Sequence, residues 1–205
     1  MKIKKLLFAS ALLFSAYNAS AQTQVIAHRG FWKTEGSAQN SIAALLKADS
    51  IGCYGSEFDV WLAADDQLVV NHDPTFKGKR MENSPSTALT AIKLDNGESL
   101  PTLAKYLKAA QPLHTRLILE LKAHSTPLRE TKAIEKIVAL VKDMGLEERM
   151  EYITFSLHAT KEFIRLAPEG TPVYYLDGNL SPKELKELGC AGPDYHYTVF
   201  RIHPQ

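Results

Sequence analysis

The chain has only two cysteines, Cys53 and Cys190, and two do not make a disulfide scaffold, so they read as buried thiols. It also lacks an excess of either charge: 24 basic and 23 acidic residues leave +1 at pH 7. That balance argues against a nucleic-acid or acidic-membrane surface and favours small ligands. Long apolar runs are missing as well. The run Leu6 to Tyr17 is short for a membrane span. With three lysines among Met1 to Lys5 before it and Ala19-Ser20-Ala21 after it, it reads as a secretory signal peptide over 1–21. No cysteine follows that run to accept a lipid. The expectation is an exported protein, periplasmic in a Gram-negative source, with one domain over 22–205.

What the sequence does contain is a regular rhythm. Gln24 to Ala27 is a short apolar run of the buried parallel-strand kind, ending in His28-Arg29-Gly30. A helix follows to Ile51, with Asn40 as its expected cap and Gly52 as its stop. A strand comes next around Glu57 and Asp59. Asp73 to Ser99 has no period and reads as a long excursion with a short helix near Ala88 to Lys93. Further helices are expected from Pro101 to about Ala110, Thr126 to Met144, His158 to Leu166 and Ser181 to Leu188. Strands are expected at Arg116 to Leu121, Tyr152 to Ser156, Pro172 to Tyr175 and Gly192 to Thr198.

Six strands alternating with helices exclude all-α and sandwich folds and leave an open doubly wound sheet or a barrel. No glycine-rich phosphate loop follows the first strand. His28, Glu57, Asp59 and Glu120 all fall at strand carboxyl ends, where a (β/α)₈ barrel gathers its site, and that convergence favours the barrel. Eight strands are needed and six are found.

Alternation along a strand puts Glu57 and Asp59 on one face and Phe58 and Val60 on the other. Paired acids on a face that should be buried are costly unless a partner neutralises them, and a bound cation is the simplest partner. Arg116 to Leu121 alternates in the same way, placing Ile118, Glu120 and Lys122 together.

Five ordered stretches carry a resemblance: Val25-Ile26-Ala27-His28-Arg29-Gly30, Glu57-x-Asp59-Val60, Leu68-Val69-Val70-Asn71-His72-Asp73, Leu100-Pro101-Thr102-Leu103 and Glu120-x-Lys122. Together they resemble the signature of the glycerophosphodiester phosphodiesterase family. The resemblance implies an α/β fold of the TIM (β/α)₈ type, here without its last two β/α units. It implies metal-dependent hydrolysis of glycerophosphodiesters to sn-glycerol 3-phosphate and an alcohol. It further implies Glu57, Asp59 and Glu120 as metal ligands, His28 and His72 as acid and base, and Arg29 and Lys122 as phosphate contacts. An all-oxygen ligand set points to Ca²⁺ or Mg²⁺ rather than zinc.

The family usually carries a Pro-Glu-Asn-Thr type stretch where this sequence has Ala38-Gln39-Asn40-Ser41, so Gln39 removes a carboxylate. Two other readings stand beside the hydrolase. One is a phospholipase-D-like enzyme acting on lysophospholipids, for which Phe31 and Trp32 would form an apolar rim. The other is a non-catalytic phosphodiester-binding remnant. Asp194 and His196 share a face of the expected last strand and are candidates for the pocket wall, whereas His114, His124, His158 and His203 read as surface or hydrogen-bonded residues.

Overall fold

Every position of the strand Gly55–Leu62 is buried, as a parallel strand covered on both faces requires. In the computed structural model, which describes residues 23–202, the chain runs β1 (Ile26–Ala27), α1 (Ile42–Ser50), β2 (Gly55–Leu62), β3 (Leu68–Val70), β4 (Thr75–Phe76), β5 (Lys79–Arg80), α2 (Ser86–Thr90) and α3 (Leu103–Ala110). It continues through β6 (Arg116–Leu121), α4 (Pro127–Asp143), a 3₁₀ turn, β7 (Met150–Thr154), α5 (Leu157–Leu166), β8 (Val173–Tyr175), α6 (Pro182–Leu188), β9 (Gly192–Pro193) and α7 (Tyr197–Ile202). The expected leader over 1–21 and His203 lie outside the described residues.

The strand order β1-β2-β6-β7-β8-β9 follows the chain without reversal, and every pairing along it is parallel. A doubly wound sheet reverses its order at a switch point. Sequential order is that of a barrel wall, as the placement of chemistry at strand ends predicts. These six parallel strands coincide with the six expected from the sequence. Among the described residues the wall stays open, because β1 and β9 each pair on one side only.

The two faces of the wall divide the residues as alternation predicts. Phe58, Val60 and Leu62 of β2 and Leu117, Leu119 and Leu121 of β6 pack with Tyr106, Leu107, Ile134, Ile137 and Phe163 of the covering helices. Each such fully buried side chain contributes about 1.5–3 kcal/mol. Glu57, Asp59, Ile118 and Glu120 face the other way, into the barrel. Side-chain oxygens of Ser41, Thr102, Thr126, Ser156 and Ser181 cap the five helices α1 and α3 to α6.

Three expectations need correcting. The cap of α1 is Ser41, whose hydroxyl accepts from Ala44 N at 3.0 Å, because the Asn40 side chain is committed elsewhere. The short helix of the excursion over 73–99 is Ser86–Thr90 and not Ala88 to Lys93, and the excursion also holds the β4–β5 hairpin and a second small core, in which Met81, Leu89, Leu94 and Leu100 pack with Trp61 and Val69. Finally, the strand expected over Gly192 to Thr198 ends at Pro193, which has no N–H to continue the ladder, and Tyr197–Ile202 is helical. Cys53 and Cys190 are free thiols, Cys53 buried and Cys190 partly so. Among the described residues no helix is long and apolar enough to cross a membrane.

Candidate active site

Where β1 ends, Arg29 and Gly30 turn the chain through positive φ, at +59° and +74°. Gly30 is required there on two grounds, since a Cβ would also lie 2.6 Å from Ala44 Cβ of α1. The turn brings Arg29 N within 2.7 Å of Glu57 Oε2, to which it donates. His28 stands beside the same carboxylate, its Nε2 3.8 Å from Glu57 Oε2, with 68% of its side chain exposed.

Register then assembles the acids. Asp59 of β2 lies directly opposite Glu120 of β6, and neighbouring parallel strands are about 4.8 Å apart. Oxygens of Glu57, Asp59 and Glu120 lie within 4.8 Å of one another, and all three residues are buried. Lys122, just past the end of β6, donates to Glu120 Oε1 at 2.7 Å and Asp59 Oδ1 at 3.2 Å.

One ammonium does not balance three carboxylates. Burial first, and then the charge of Asp59, push the Glu57 carboxyl well above the usual carboxylate range. The same two causes raise Glu120. Burial works against the Lys122 ammonium, but Asp59 and Glu120 outweigh it and raise its pKa. Glu57 Oε1 is buried without a hydrogen-bond partner. An orphaned carboxylate oxygen among hard oxygen donors with excess negative charge fits a divalent cation.

The second histidine arrives by a different route. β3 folds back antiparallel on β2, and Asn71 N donates to Asp59 O at 3.0 Å, so His72 emerges at the rim of the acid cluster. Its Nδ1 is 2.7 Å from Asp73 Oδ1. His28, Arg29, Glu57, His72, Glu120 and Lys122 all line one cavity of about 560 Å³, and Asp59 lies fully buried within the acid cluster. All seven predicted site residues are therefore brought together. Burial, followed by the Arg29 charge, holds His28 below its ordinary pKa.

Asp194 and His196 also reach this cavity wall, although not from a strand, together with Phe155 and Leu176. Trp32 lies away from it, with Lys33 Nζ 5.2 Å from its ring centre. His124 is a structural residue: Leu62 N donates to its Nε2 at 2.9 Å, and its Nδ1 lies 2.6 Å from Lys122 O. His158 is hydrogen-bonded to Thr131 Oγ1.

Sequence reasoning missed Asn40. Its Nδ2 donates to Asp59 Oδ2 at 2.8 Å and its Oδ1 accepts from Asp59 N at 3.0 Å. The available signal was the pair Asn40-Ser41, two residues of capping type in succession, of which only one can cap. Gln39, the departure noted above, accepts from Arg29 Nη1 at 2.5 Å.

No protein-family model matches this sequence. A crystal structure of a glycerophosphodiester phosphodiesterase from Parabacteroides distasonis is 55% identical, with a TM-score of 0.86, covering 88% of this chain and 76% of that one. A phosphodiesterase from Oleispira antarctica, solved with the product sn-glycerol-3-phosphate, is 26% identical over 87% of this chain and 76% of its own, with a TM-score of 0.72. A curated glycerophosphodiester phosphodiesterase from Caldanaerobacter subterraneus is 29% identical over 199 residues, 90% of this chain and 79% of that protein. Buried acids flanked by two histidines on a sequentially wound barrel wall, together with 55% identity to a solved relative over 76% of its length, place this chain in the glycerophosphodiester phosphodiesterase family of enzymes.

Proposed function

We propose that this protein hydrolyses glycerophosphodiesters to sn-glycerol 3-phosphate and an alcohol, with a divalent cation, Ca²⁺ or Mg²⁺, held by Glu57, Asp59 and Glu120. The observation that carries this reading is the excess of buried carboxylate charge, with its orphaned Glu57 Oε1, in the cavity that His28 and His72 share. When bound, the cation would supply charge neutralisation for the phosphodiester.

The chain's own groups do the rest. Arg29 and Lys122 offset the remaining phosphate charge and orient the diester. The attacking oxygen, from water or from the substrate's own glycerol hydroxyl, forms its bond to phosphorus as the bond to the alcohol oxygen breaks; attack by the hydroxyl leaves a cyclic phosphate, whose ring a water molecule then opens to give sn-glycerol 3-phosphate. One imidazole takes the proton of the attacking hydroxyl and the other gives a proton to the departing oxygen. Asn40 and the Asn71 backbone fix Asp59 and the His72 loop relative to each other.

The deciding experiment is release of sn-glycerol 3-phosphate from glycerophosphocholine by the purified mature chain, in EDTA and after adding back calcium or magnesium. Cation-dependent release is expected. A folded protein that binds the diester without releasing product would replace the hydrolase with a binding protein.

A second substrate is favoured by one observation. Ile26 and Phe155, each about half exposed at 48% and 51%, line the same cavity and give it an apolar side. That side suits the acyl-glycerol part of a lysophospholipid, and comparing turnover of lysophosphatidylcholine and glycerophosphocholine distinguishes the two. The leader pattern over 1–21 supports action outside the cytoplasm, checked by locating the processed protein in cell fractions.

A further inference from the structure

We propose that a second cavity, on the far side of His72, receives the departing alcohol and selects one that carries a positive charge. This inference rests on the hydrolase reading above. The cavity encloses about 270 Å³, about half the volume of the main one.

His72 lines both cavities. Two further residues of the second cavity bond to side chains of the acid site. Gln39 accepts from Arg29, and Asn40 grips Asp59. A phosphodiester has two arms. With its phosphorus between Arg29, Lys122 and the acids, one arm occupies the larger cavity and the other passes His72 into the smaller. A space of this size, below the range of drug-sized pockets, suits a compact head group and not an acyl chain.

The walls choose the charge of that head group. Trp32 and Phe76 present aromatic rings, and Asp73 and Asp95 contribute carboxylates. Ring faces attract ammonium groups, and both rings already hold one: Lys33 Nζ is 5.2 Å from the Trp32 centroid, and Lys77 Nζ is 5.4 Å from that of Phe76. Lys77 Nζ also lies 3.7 Å from Asp95 Oδ1. Both lysines are exposed, so each can give up its ring to a substrate ammonium while staying in water. Lys33 is the one lysine or arginine among the lining residues, and it is the group that a substrate ammonium displaces from the Trp32 ring.

The test compares kcat/KM for glycerophosphocholine and glycerophosphoethanolamine with that for the uncharged-head glycerophosphoglycerol. The wild-type protein is expected to favour the two cationic heads by tenfold or more. The variants Trp32→Leu and Phe76→Leu are expected to lose at least fivefold more kcat/KM on the cationic heads than on glycerophosphoglycerol, mainly through KM. Since the ratio is taken within one variant, partial unfolding cancels from it. Equal losses on all three heads, or no wild-type preference, would overturn the proposal. A separate arm titrates choline chloride alone and follows tryptophan emission. Saturable quenching in the wild type that disappears in Trp32→Leu supports the subsite even if no diester is turned over, in which case the hydrolase reading is the one that fails. Absence of quenching in the wild type counts against the subsite even if hydrolysis is fast.

Discussion

Asn40 holds Asp59 at two points, donating from Nδ2 to the carboxylate at 2.8 Å and accepting the Asp59 backbone N–H at 3.0 Å. It does so from a left-handed backbone conformation, φ +59°, which asparagine tolerates better than most residues. The loop before α1 is thereby joined to the middle of β2, where the acids meet. Asn40→Ala removes both bonds and leaves Asp59 with Lys122 as its only side-chain partner among the described residues. The expected cost is about 1–3 kcal/mol of stability, with weaker calcium binding. Thermal unfolding in EDTA measures the first and calorimetric titration with calcium the second.

The two histidines should behave alike in turnover. His28→Ala and His72→Ala are each expected to lower kcat by roughly 10²–10⁴-fold. Because the His28 side chain is 68% exposed, its removal should change stability by no more than about 0.5 kcal/mol. Steady-state kinetics beside a thermal melt separates the two effects. A His28→Ala protein with full turnover would remove that residue from the mechanism.

Glu57 gives a pH dependence of definite sign. Its carboxyl is raised in the folded protein, by burial and then by Asp59, so the folded state holds this proton more tightly than the unfolded chain does. Its contribution to stability is present below the unfolded glutamate pKa and is lost as pH climbs through the raised folded value. In EDTA, stability should therefore fall as pH rises above the ordinary glutamate pKa of about 4.3, more steeply in the wild type than in Glu57→Gln, whose amide does not titrate. Calcium or magnesium should reduce that fall in the wild type by stabilising the ionised acids. Melting curves across this range, with and without the cation, check both expectations.

Gly30 tests the turn that aims His28 and Arg29. Gly30→Ala would force a Cβ to within 2.6 Å of Ala44 Cβ and 2.8 Å of the Ala44 carbonyl carbon at φ +74°. The strain and the clash together predict about 2–4 kcal/mol of destabilisation and a loss of turnover beyond the unfolded fraction. Gly36→Ala, also at positive φ but with open space around it, is the control and should cost less, on the order of 1 kcal/mol.

The sequence by itself determined the local pattern: which residues of β2 and β6 share a face, where the main helices fall, and that Glu57 and Asp59 lie on one side of their strand. Side-chain alternation and helical spacing are properties of consecutive residues, so they survive without neighbours. Even the ordered motifs around His72 and Lys122 could be read in one dimension.

Only the tertiary structure decided how these pieces meet. The pairing of Asp59 with Glu120 depends on the register between β2 and β6, which burial of both strand faces fixes over an intervening stretch of loop, hairpin and helix. Asn40 was assigned to a helix end because a capping side chain and one that binds a distant carboxylate look the same until the partner is in place. The last strand stopped at Pro193 because strand hydrogen bonds need a donor that this residue lacks, and the following residues turned helical. The excess of buried negative charge belongs to no single segment. It exists only once β2, β6 and the end of β1 lie side by side, because the distance between charges sets their interaction and the fold sets that distance.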